Sequence, residues 1–132
     1  MARFLVFAIG LLVLMFIPSS YEKLVSLGMD GGGMLSKKLG IKVAKANMLV
    51  FCAGIFELLA LGALTTGLVT ANVDMIGVAS LMLLFFTGAV TVTFWIVPFD
   101  KVKALHNISS MGGLLLLFCL RDAVAAQLSR QA

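Results

Sequence analysis

The sequence predicts an all-α protein, an antiparallel bundle of four transmembrane helices forming one domain over residues 1–132. Three observations predict it. The first is composition: 61% of the 132 residues are hydrophobic, 12% are charged, and the mean hydropathy is +1.13. An ordinary soluble domain has about a quarter of its residues charged, and a small fold leaves much of its surface in water. This much apolar side chain therefore excludes a soluble globular enzyme, a disordered chain and a disulfide scaffold. The second is the spacing of charges. Stretches of 18, 28, 25 and 17 residues separate Arg3 from Glu22, Lys45 from Asp74, Asp74 from Asp100 and Lys103 from Arg121, with Glu57 the one formal charge inside them. Crossing hydrocarbon takes roughly 20 helical residues. The third is periodicity. Runs such as Leu81-Met82-Leu83-Leu84-Phe85-Phe86 and Leu114-Leu115-Leu116-Leu117-Phe118 are apolar on all sides, whereas strands of a membrane barrel alternate apolar and polar.

The first span is expected near Phe4–Ser20. Arg3, an apolar run to Ile17 and then Pro18-Ser19-Ser20 have the outline of a signal peptide, but we read the segment as a retained span. Pro18 lacks an N–H and is expected to kink or end that helix. Tyr21 to Lys45 reads as a long loop. Its Gly28-Met29-Asp30-Gly31-Gly32-Gly33 stretch suggests a flexible linker, since a phosphate-binding loop would need a preceding strand and a Gly-Lys-Ser/Thr ending. The second span is placed at Ala46–Leu68, a short turn at Val69–Asn72, the third span at Val73–Val97, a tight turn at Pro98–Lys103 and the fourth span at Ala104–Leu120. Short turns make the last three spans antiparallel neighbours.

Four spans put both termini on one side, with Arg3, Arg121 and Arg130. The other side holds Lys23, Lys37, Lys38, Lys42, Lys45, Lys101 and Lys103. The positive-inside rule assigns the lysines to the cytoplasm or its organellar equivalent. The expected setting is the lipid bilayer of a mitochondrial, plastid or bacterial inner membrane. Lys37, Lys38, Lys42 and Lys45 are candidates for docking anionic lipid headgroups or a partner subunit. No aromatic residue interleaves them, which argues against nucleic acid. Tyr21, Trp95 and Phe99 fall near span ends, where amphipathic rings anchor at the interface.

Glu57 carries the most information. A central charge costs roughly 2.5–3.5 kcal/mol on insertion scales, so this carboxylate must face protein or a wet cavity. Ala53, Glu57, Ala60, Leu64 and Gly67 share one helical face, and its small residues admit a neighbouring helix. Glu57 is read as a structural hydrogen-bonding group, a contact for a ligand or partner, or a proton-handling group. Ser80, Leu84, Thr87, Thr91 and Trp95 share a face of the third span. Thr87 and Thr91 can meet Glu57 or bond their own backbone. His106, at the start of the fourth span with Ser110 and Gly113 on its face, is the only histidine. That excludes a multi-histidine metal site, and no local pattern marks an axial ligand to haem or chlorophyll. A bond to Asp100 or to a backbone carbonyl accounts for it. Cys52 and Cys119 lie at different depths and are expected to be free, buried thiols. The chain has no nucleophile–base pair, no paired carboxylates, no zinc spacing and no Cys-x-x-Cys. No catalytic residue, metal or cofactor is therefore assigned, although a bundle interior leaves room for a lipid, quinone or pigment.

One order of motifs stands out. Tyr21-Glu22-Lys23-Leu24 follows the first span, and Leu39-Gly40-Ile41 precedes the second. Ala53-Gly54-Ile55-Phe56-Glu57-Leu58-Leu59-Ala60-Leu61-Gly62 forms the second. Pro98-Phe99-Asp100-Lys101, Ala104-Leu105-His106 and Gly112-Gly113-Leu114-Leu115-Leu116 come later. From about Gly10 to Leu120 this resembles the DoxX-like superfamily of four-helix membrane proteins, and within it the eukaryotic branch that includes an acetylcholine-receptor chaperone. Family members often carry a histidine late in the third span, where this chain has Phe94-Trp95-Ile96-Val97. The resemblance implies either of two roles: accessory subunit or assembly factor of a larger membrane complex, or partner of quinone or sulfur redox enzymes. With almost no soluble portion, the chain is expected to be a non-catalytic accessory subunit of an energy-converting complex acting through helix packing. The alternative is a redox or quinone-like ligand module using Glu57, Thr87, Thr91 and His106.

Overall fold

The computed structural model describes residues 2–95 and 101–131, and among them every regular element is helical. Four stretches are long and apolar enough to cross a membrane: Arg3–Val25, Val43–Val69, Val73–Phe94 and Lys101–Cys119. The Trp95 side chain and residues 96–100, including Pro98, Phe99 and Asp100, lie outside the described residues.

The first stretch is a rod broken at Met15, with α1 at Ala2–Leu14 and α2 at Phe16–Val25. Pro18 occupies the third position of α2. It offers no N–H to the Leu14 carbonyl and its ring crowds that group, so the break falls a turn upstream of the proline rather than at it. The rod runs past the expected end at Ser20 to Val25. Lys23 does not end the span because its charge finds a partner inside the fold, as described below. Beyond Val25 the chain closes in a Schellman turn: Gly28 N–H donates to the Lys23 carbonyl at 2.9 Å and Leu27 N–H to Leu24 at 3.2 Å, with Leu27 left-handed at φ 51°.

The expected linker between Tyr21 and Lys45 is largely helix: the tail of α2, then α3 at Met29–Leu39. Glycine costs a helix about 1 kcal/mol per residue, yet here it permits close packing. A Cβ on Gly28 would strike the Asn47 carbonyl, and one on Gly32 would strike Asn47 Oδ1. The two bare backbone positions let α3 rest on the start of the next helix, where Leu35 packs with Ala46 and Val50. Composition read the glycines as freedom; at Gly28 and Gly32 the role is contact.

The long α4, Val43–Val69, ends in a second Schellman turn. Asn72 N–H reaches Gly67 at 2.9 Å and Ala71 N–H reaches Leu68 at 3.3 Å, with Ala71 at φ 52°. Asn72 then caps α5, Val73–Val90, by accepting the Met75 N–H at 3.1 Å. One π-helical turn, Thr91–Trp95, extends α5. Lys101–Lys103, expected in a tight turn, form the first turn of α6, Lys101–Cys119, and α7 spans Arg121–Ser129.

The main core gathers Ala60, Leu61 and Leu64 of α4, Ile76 and Leu83 of α5, Leu114 and Leu117 of α6, and Val124 of α7. α1 touches this body lightly, along α6 and α7. Outward faces are apolar, with Phe4, Phe7, Leu59 and Phe85 exposed. Both cysteines are free and exposed, which corrects the expectation that they are buried: they point from the outer faces of α4 and α6.

Candidate functional site: a cavity with a buried ion pair

Glu57 sits at the middle of α4, 1% exposed, in a buried stripe with Val50, Gly54, Ala60, Leu64 and Gly67. Gly54 sets the approach of α2. A Cβ there would come within 2.9 Å of Lys23 Cβ, so α2 lies nearly on the backbone of α4. That contact delivers the Lys23 ammonium to Glu57, where Nζ donates to Oε2 at 2.5 Å. Nζ also donates to Ser19 Oγ at 2.8 Å and lies 5.0 Å from the Phe86 ring centre. Ser19 and Ser20 stand beside the carboxylate, and the Phe56 ring, 5.8 Å from Phe86, backs the cluster. An unpaired charge here would carry its full desolvation penalty; the pair offsets it through attraction and shared hydrogen bonds.

The cluster borders a cavity of about 730 Å³. Its walls come from α2 (Ser19, Glu22, Lys23), α3 (Met29, Met34), α4 (Val50, Ala53, Glu57), α5 with its π-turn (Phe86, Thr87, Val90, Phe94) and α6 (Lys103, His106, Asn107). Among the described residues its formal charges balance, with Glu22 and Glu57 against Lys23 and Lys103.

The sequence-expected residues fall unevenly around it. Glu57 turns inward as expected, but its partner is Lys23, not Thr87 or Thr91. Both threonines are buried, and each hydroxyl donates 2.7 Å down its own helix, to the Leu83 and Thr87 carbonyls. A carbonyl one turn back satisfies a helical hydroxyl with no other partner needed. His106 is exposed and lines the cavity; its expected partner Asp100 lies outside the described residues. Lys37, Lys42 and Lys45 are exposed. Lys38 instead turns inward: Nζ donates to the Thr93 carbonyl within the π-turn at 2.7 Å and lies 5.7 Å from the Phe94 ring centre. A π-turn draws carbonyls away from the regular ladder, and a cation on α3 takes one of them. Lys23, counted with the surface lysines from sequence, likewise belongs to the interior.

Sequence reasoning missed Lys23, Ser19, Phe86, Lys103 and Asn107. One signal was available. A solitary mid-span acid calls for a cation, and Lys23 repeats Ser19 and Phe16 at helical spacing on the flank of the first apolar run. Among the described residues no three His, Cys, Asp or Glu side chains come together to hold a metal. The arrangement can hold a polar group against fixed charges and hydroxyls inside an apolar shell. No protein-family model, curated protein or solved structure matches the chain.

Proposed function

We propose that the chain is a multi-pass membrane protein whose four apolar helices cross the bilayer antiparallel and enclose a binding site for a small lipophilic molecule with a polar head. One observation carries the reading: the cavity of about 730 Å³ with the Glu57–Lys23 pair in its wall. Small-molecule sites are mostly apolar hollows of about 300–1,000 Å³ with a few placed polar groups. Lys37, Lys42, Lys45, Lys101 and Lys103 gather at one end of the helices and support a cytoplasm-equivalent orientation for it. The resemblance to DoxX-like proteins, some linked to quinone enzymes, points the same way. The test is purification from the native membrane in mild detergent and mass spectrometry of retained compounds. The wild type is expected to carry an amphiphile that an Ala53→Trp variant loses; the same compounds at the same level in both overturns the reading.

A second reading, an accessory subunit or assembly factor in a larger complex, is favoured by α1. Phe4 is 79% and Phe7 66% exposed, and α1 is only lightly packed on its own chain, leaving a face for a partner helix. Native sizing decides it: a subunit co-migrates with partners, and a lone chain counts against the role.

A further inference from the structure

The cavity does not stand alone. A second hollow of about 410 Å³ runs between α1 and α6, lined by Leu5, Ile9 and Leu12 on one side and Gly113, Leu117 and Leu120 on the other. Met15 and His106 line both hollows. The junction follows from the break at Met15: α2 beyond it lies on α4, while α1 before it leans on α6. At this corner the Ser110 hydroxyl is shared between the His106 carbonyl one turn back, at 2.8 Å, and Met15 Sδ, at 3.2 Å.

Polarity grades along the path. Among the described residues the cavity carries two carboxylates and two ammonium groups. Past Met15 and His106 the groove keeps only Ser109 and Ser110 as polar side chains, both close to His106 in sequence, and is aliphatic beyond them. From His106 to Leu120 it follows α6 for roughly 21 Å at 1.5 Å per residue. Accepting the cavity as a binding site, we infer that the two hollows form one site for an amphiphile with a single long hydrocarbon tail and an uncharged, hydrogen-bonding head. The head lies among Lys103, His106, Asn107 and the Glu57–Lys23 pair, and the tail passes Met15 into the cleft between α1 and α6.

Two arguments fix the class. Among the described residues the formal charges lining the cavity sum to zero, so a charged head would add a charge without a counterpart beside the buried Glu57. The groove lies between α1 and α6, and its aliphatic lining suits one hydrocarbon chain laid along α6. Lipid tails are as apolar as leucine, so the groove orients the tail, while the head supplies preference.

The test uses the full chain in phosphatidylcholine vesicles with two photo-crosslinking monoacylglycerols, one carrying a diazirine at the tail end and one in the head. The tail label is expected on α1 and α6 between Gly113 and Leu120, the head label near Phe86, Val90 and Asn107. Unlabelled monoolein should compete at least tenfold better than palmitate or hexadecyltrimethylammonium. Gly113→Trp, whose side chain would enter the space held by Leu12, should cut tail-label capture at least tenfold and leave capture of a short-tailed head-labelled probe unchanged. The wild-type label map stands even if that variant misfolds. Head capture with the tail label on α5 or scattered overturns the head-and-tail site and leaves the cavity reading intact. So does better competition by a charged probe, or a groove closed to the label by a co-purifying subunit. Absence of competable capture by either label overturns both.

Discussion

From Ala60 to Gly67, α4 is packed by Ile76, Leu83, Leu114 and the α7 residue Val124 around Leu64. From Val43 to Glu57 the same helix borders a cavity, with a small Leu35–Ala46–Val50 cluster at its start. This half is held by an ion pair, and its neighbour α3 by a lysine on a backbone carbonyl and by bare glycines on Asn47. If the helices cross a bilayer as proposed, apolar packing gains little beyond van der Waals contact, and the Ala60–Gly67 half then depends on shape. The Val43–Glu57 half depends on pairing, and pairing can span a hollow that shape-dependent packing would have to fill.

The largest expected effect tests the pair. Lys23→Met leaves a buried carboxylate without its cation and should cost about 3–5 kcal/mol in a detergent-unfolding titration. Lys23→Met combined with Glu57→Leu should recover most of the loss; a double variant as unstable as the single breaks the comparison. At the other end, Leu83→Ala should cost about 3 kcal/mol by leaving a void, with no polar partner whose removal rescues it. Lys38→Met should cost about 1.5 kcal/mol, read as faster amide exchange in α3 and Thr91–Trp95 while α7 keeps its protection. The smallest effect concerns the turns. Ala71→Gly at the packed end and Leu27→Gly at the paired end each relieve a left-handed residue and should each stabilise by about 1 kcal/mol. Unequal gains would show that one Schellman turn is held by its surroundings rather than by itself.

The four apolar rods were legible because a charge-free gap of about 20 residues has one reading. The inward turn of Glu57 was legible because a charge in the middle of an apolar run is too costly to face outward. Three features were not. α3 was hidden because its glycines have poor helix propensity, and the contact that accounts for Gly32 is with Asn47, on the next helix. Lys23 was hidden because a lysine after an apolar run reads as the end of a span, and its partner lies 34 residues away. Lys38 was misplaced because no sequence pattern announces a π-turn. Each failure is a long-range contact overriding a local rule.

The wide turn at Thr91–Trp95 has a consequence for the whole end of the molecule. A π-turn amounts to one residue spliced into a regular coil, which swings everything after it by roughly 100° and sets a carbonyl aside. Excising Val92 would wind the segment back to even pitch, return the Thr93 oxygen to its neighbours and leave the Lys38 ammonium reaching for nothing. One anchor of α3 thus depends on a single surplus residue, encoded about 55 positions further along the chain.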